Sequence, residues 1–177
     1  MTNTPGSGER RARRGFNYQD RASAVLAYQT ILNGTLTFIA LADDEAGMFD
    51  DFVIGTAGRV VGHQYKSSDK PKPIGVRGLL LGADNVIADC PGTFIMLERA
   101  FPGNAIELRY VTSHYAATGD KGQFGVPGKD SADFFKALAS HHQRSLADWR
   151  APGWRPIIDD LPQGSGLSGP DSEGCLR

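Results

Sequence analysis

The segment "DDFVIGTAGRVVGHQYKSS", residues 50–68, decides how this chain is read. "DDFVIG" and "VVGHQYKS" are two short runs of strand-forming residues around the glycine-containing connection "TAGR", which predicts an antiparallel hairpin. Side chains two apart on a strand point the same way, so Gln64 and Lys66 share a face while His63 and Tyr65 point to the other. If the connection centres on Ala57 and Gly58, Ile54 lies opposite Val61 and Asp51 opposite Gln64. A slip of one residue would put Asp50 there instead.

Working outward, Tyr18, Ala22, Val25, Leu26 and Leu32 recur at helical spacing, with Asn17 as the predicted cap and Asn33-Gly34 as the stop. "LTFIAL", 36–41, reads as a buried strand. After the hairpin, "IGVRGLLLGADNVIAD", 74–89, predicts a helix, and "TFIMLE", 93–98, and "IELRYVT", 106–112, predict two strands around the turn "FPGN". Residues 113–129 read as a long loop. Ser131 then caps a helix whose apolar stripe is Phe134, Phe135, Leu138 and Leu146. The order predicts a mixed α/β domain, a small central sheet flanked by helices.

At 177 residues the chain suits one ordinary domain, read here as residues 15–158. Residues 1–14, with Arg10, Arg11, Arg13 and Arg14, read as a flexible basic arm, either a phosphate contact or a solvated tail. Residues 159–177 have the composition of a linker or disordered tail. Hydrophobic residues make up 40% and charged residues 22%, and a formal charge of -1 gives no global pull toward nucleic acid. Any such role has to rest on a local site. No apolar stretch approaches the roughly 20 residues that span a bilayer, and Cys90 and Cys175 match no metal or redox spacing, so a cytoplasmic location is expected.

The chemistry concentrates on the hairpin. A carboxylate beside an amide oxygen, with a backbone carbonyl from the same strand, makes a partial oxygen cage for Mg²⁺ or Mn²⁺. Asp51 and Gln64 are the expected ligands. Glu45, in the loop leading into the hairpin, and Asp50 are auxiliary carboxylates that offset the missing charge of Gln64. Lys66 is placed to bind a scissile phosphate or hold an attacking water as charge develops. Elsewhere, adjacent His141 and His142 point in different directions on a helix, "GSGERRARRG" lacks the ending of a phosphate-binding loop, and no nucleophile elbow is present.

"GFNYQDRASA" at 15–24, "DDEAGMFDDFVIG" at 43–55 and "GHQYKSS" at 62–68 together resemble the PD-(D/E)xK nuclease superfamily in its Gln-x-Lys variant. They are similar to the double-stranded DNA endonuclease domains at the N-terminus of bacterial anti-phage effectors. The resemblance implies a restriction-endonuclease-like αβββαβ core, metal binding by Asp51, Gln64 where the second acidic ligand usually stands, Lys66 as the catalytic lysine, and Gln19 near the site. Implied with it are double-stranded DNA as partner and a downstream sensor or NTPase domain; cutting opposite strands would require two active sites, so a homo-oligomer is expected as well. The family's Pro is absent, Gln replaces its acidic ligand, and the first helix offers no Glu. The alternative expectation is therefore a nuclease-fold module that binds DNA or protein without chemistry.

Overall fold

The computed structural model describes residues 7–41, 44–81, 86–121, 127–140 and Trp154. His141, His142, Leu146, Trp149, Cys175 and the 159–177 tail lie outside the described residues. Two compact units divide the chain, Met1–Pro71 with Leu97–Ser113, and Lys72–Met96 with His114–Arg177.

Helix α1, Ser7–Leu32, starts ten residues before Asn17, so Asn17 is interior and caps nothing. The cause is "ERRARR", 9–14, whose Glu, Arg and Ala all favour helix and extend it toward the N-terminus. Its end falls where the sequence places it. Gly34 N–H donates to the Ile31 carbonyl at 2.9 Å and Thr35 N–H to that of Thr30 at 3.1 Å, a Schellman closure.

Strands β1 (Leu36–Ala40), β2 (Phe52–Thr56) and β3 (Arg59–Lys66) follow, with a 3₁₀ segment, η1 (Asp44–Phe49), between β1 and β2. Then come β4 (Pro73–Ile74), α2 (Val76–Leu81), α3 (Val86–Ala100), β5 (Ala105–Thr112), β6 (Tyr115–Ala116) and α4 (Ser131–Ser140). The main sheet has the order β1-β2-β3-β5. Its first two pairings are antiparallel and β3/β5 is parallel, so the fold is mixed α/β with a mixed four-stranded sheet.

The hairpin register is the one centred on Ala57 and Gly58, with Ile54 opposite Val61 and Phe52 opposite His63. Gly58 takes φ 78°, which a residue with a Cβ adopts only at a cost. Strand alternation then sorts the core. On one face Phe52, Ile54, Val61 and Tyr65 pack with Ala22, Leu26 and Ala27 of α1. On the other, Val53 and Val60 pack with Leu97, Phe38, Phe101, Ile106 and Leu108. The helical stripe read from sequence is thereby split, because Ala22 and Leu26 face the sheet and Tyr18 meets Tyr65 edge-on, while Val25 and Leu32 lie outward.

The predicted strand at 93–98 is a correction. "TFIMLE" lies inside α3, where burial recurs at Val86, Thr93 and Leu97, a helical spacing that overrides the strand preference of Thr, Phe and Ile. The predicted helix over 74–89 is correspondingly divided between α2 and the start of α3.

In the second unit β4 pairs with β6, and β6 lies inside the 113–129 stretch read from sequence as a loop. The α4 cap moves by one residue. Asp130 and Asp133 exchange backbone-to-carboxylate hydrogen bonds of 3.0 and 3.2 Å as a capping box, whereas Ser131 is fully buried and accepts from Val76 N–H at 2.8 Å. Asp120 accepts in turn from the Ser131 N–H at 3.0 Å. Phe134 and Trp154 meet edge to face at 5.2 Å, so this Trp anchors the last helix as the apolar stripe suggests.

Candidate active site

Strand β3 is one residue set with two different halves. From Arg59 to His63 it is hydrogen-bonded between β2 and β5, but the β2 ladder stops at Phe52 opposite His63. The next N–H on that side, Tyr65, would be left without a strand partner. The Asp51 carboxylate takes it, accepting the Tyr65 N–H at Oδ2 at 2.7 Å. The acid therefore stands where the next strand carbonyl would have been.

The same oxygen accepts the Gln64 side chain, whose Nε2 donates at 2.9 Å. Asp51 is thus the hairpin carboxylate that meets Gln64, and the Asp50 alternative of a slipped register does not arise. From α1, Gln19 Nε2 donates to the Asp51 backbone carbonyl at 3.2 Å, so the first helix reaches the same point. Lys66 is exposed, two residues beyond Gln64 on the same face, and close enough to Asp51 to favour its charged form.

Burial pushes the Asp51 carboxyl above its ordinary value. The Tyr65 N–H opposes that shift, Asp50 reinforces it by like charge, and Lys66 and Gln19 pull it back. This places Asp50 within electrostatic reach of Asp51. Glu45 belongs to η1, and its side chain lies outside the described residues. Its segment does sit over this face. A Cβ on Gly62 would come 3.2 Å from Phe49 Cβ and 3.3 Å from the Phe49 carbonyl, so a side chain at 62 would press η1 outward by a few tenths of an ångström.

His63 is 1% exposed, its Nδ1 3.2 Å from the Phe52 carbonyl, and it stacks on Tyr65 on the opposite face from Lys66. It is a core histidine. A clamp beyond Lys66 is not legible in the sequence, because it depends on β5 lying parallel beside β3. Ser113 N–H donates to the Lys66 carbonyl at 3.2 Å, and the Ser113 hydroxyl accepts the Ser68 N–H at 2.9 Å. These bonds fix the backbone that carries the lysine.

The donor set suits a hard cation. Asp51 Oδ2 is committed to two N–H groups, which leaves Oδ1, and the Gln64 amide, whose nitrogen is spent on Asp51, keeps its neutral oxygen as a further acceptor. Among the described residues no three His, Cys, Asp or Glu side chains gather as a metal site. A soft or closed site of the zinc type is not built from them, whereas an ion that keeps most of its waters asks for no more than these oxygens. Comparison with protein-family models, curated proteins and solved structures found no match to this chain.

Proposed function

We propose that the chain is a metal-dependent DNA endonuclease domain with a restriction-endonuclease-like fold, hydrolysing phosphodiester bonds of double-stranded DNA. The observation that carries the reading is the meeting of Asp51, Gln64 and Lys66 at the open end of β3, the Asp51 carboxylate locked by the Tyr65 N–H. The order helix, three strands, helix, strand around a mixed sheet is compatible with it.

In this reading Asp51 Oδ1 and the Gln64 amide oxygen would hold Mg²⁺ or Mn²⁺, with Glu45 or Asp50 as auxiliary carboxylate. The bound ion would supply charge neutralisation at the phosphate and an acidified water. Lys66 binds the scissile phosphate on the exposed side. Gln19 holds the Asp51 backbone, and with it the carboxylate, in place. The wider role is that of an effector domain in a bacterial anti-phage protein, paired with a second copy to cut both strands and governed by a downstream sensor or NTPase domain.

The test is cleavage of plasmid DNA with Mg²⁺ or Mn²⁺. Wild type cuts and Lys66→Ala does not; identical behaviour of the two at every metal and protein concentration overturns the assignment. One observation favours a second reading, an inactive module that binds DNA or protein: the Gln64 amide donates to Asp51 and brings no charge of its own. Calorimetric titration with Mn²⁺ separates the two, since the inactive module takes up no metal even with duplex present.

A further inference from the structure

Strand β5 completes the surface on which Lys66 stands. The β3/β5 register pairs Val60 with Ile106, Gly62 with Leu108, Gln64 with Tyr110 and Lys66 with Thr112. Paired residues on neighbouring strands point to the same face, and the strands run about 5 Å apart. This face therefore changes character on both strands at one register. Val60, Ile106 and Leu108 belong to the apolar cluster around Leu97. From there on the pairs are an amide beside a phenol and an ammonium beside a hydroxyl.

The change is not a general property of the strand ends. On the opposite face, the end pair Tyr65 and Val111 is packed into the cluster under α1, while the polar pair His63 and Arg109 lies one step back. The carboxyl ends of β3 and β5 thus carry core on one side and hydrogen-bonding groups on the other. The hydrogen-bonding side is the one that holds Gln64 and Lys66. Crevices outside the carboxyl ends of parallel strands are where open α/β sheets bind ligands.

We propose that Tyr110 and Thr112 are substrate-binding residues that extend the site onto β5 and hold the phosphodiester backbone of duplex DNA, a proposal that rests on the nuclease reading. The Thr112 hydroxyl, beside Lys66, donates to a non-bridging oxygen of the phosphate that the lysine neutralises. The Tyr110 hydroxyl, beside Gln64, donates to the backbone on the metal side. Contacts of this kind position a duplex without reading its sequence. Their removal weakens binding of DNA more than it slows the chemical step.

The experiment compares wild type, Thr112→Val, Tyr110→Phe and Thr112→Ser for KM and kcat on duplex DNA with Mn²⁺, and for Kd of a fluorescein-labelled duplex in EDTA. Circular dichroism melts accompany each variant. Thr112→Val and Tyr110→Phe each raise KM and Kd by about tenfold with kcat changed less than threefold, and Thr112→Ser stays near wild type. If wild type cuts and Lys66→Ala does not, yet both hydroxyl-deleting variants keep wild-type KM and Kd, this proposal is overturned and the nuclease reading stands. Duplex binding without cleavage overturns the nuclease reading, and the Kd values alone then decide this proposal. A wild type that neither binds nor cuts overturns both.

Discussion

The two halves of β3 obey the same backbone chemistry with different partners. From Arg59 to His63 both sheet neighbours are strands, η1 lies close to Gly62, and Val60, Val61 and His63 are buried. From Gln64 to Lys66 only β5 remains as a strand neighbour, and a side-chain carboxylate substitutes for β2. Stability resides in the first half because Val60 to His63 are all buried there. In the second half Tyr65 stays in the core, whereas Gln64 and Lys66 on the other face reach solvent from a backbone that stays fixed. The difference arises because the partner strand β2 ends three residues short of the end of β3.

Substitutions that touch one half should leave the other's property intact. The largest effect is expected for Phe52→Ala in the closed half, where the ring is 1% exposed. It should lower unfolding free energy by about 3–5 kcal/mol in urea titrations. Lys66→Ala, in the open half, should lower DNA cleavage at least about 100-fold, roughly 2.7 kcal/mol of transition-state stabilisation, with an unchanged thermal midpoint because the side chain is exposed. A large loss of stability with Lys66→Ala would break the division.

A third prediction concerns pH. Burial pushes His63 below its ordinary value, against the favourable effect of the Phe52 carbonyl. The unfolded chain takes up this proton first as pH falls, so the contribution of neutral His63 is fully present above about pH 6.5 and is lost as pH drops from there through the folded value. Metal-free protein should lose at most about 1.4 kcal/mol per pH unit in that window, the limit for one proton, and His63→Gln should flatten the profile. The smallest effect is expected for Gln19→Ala. It removes one hydrogen bond to the Asp51 carbonyl, worth about 1 kcal/mol, and should weaken Mn²⁺ binding more than it lowers the melting temperature.

Much of this division is legible in the sequence because it is local. Alternation puts Gln64 and Lys66 on one face, and the two-residue connection at Ala57-Gly58 selects Asp51 over Asp50. The Asn33-Gly34 stop likewise needs only its own turn. What escapes depends on distant partners or on competition between preferences. "TFIMLE" carries the residues of a strand, but its burial spacing within α3 is helical, and that spacing is visible only once Val86 and Leu97 are seen to share a stripe. Tyr110 and Thr112 could not be aligned with Gln64 and Lys66, since parallel register is set across the whole crossover rather than by a turn. Ser131 looks like a cap from its position, yet Asp130 performs that role and Ser131 holds Val76 instead.

The bond from the Tyr65 N–H to the Asp51 carboxylate also gives the protein a built-in spectroscopic reporter. The proton of an amide whose nitrogen lies 2.7 Å from a charged oxygen resonates downfield, and its frequency follows the electron density on that oxygen. Protonating Asp51, or binding a cation to it, withdraws that density. In a ¹⁵N-labelled sample one backbone resonance, needing no added probe, therefore registers the state of the carboxylate.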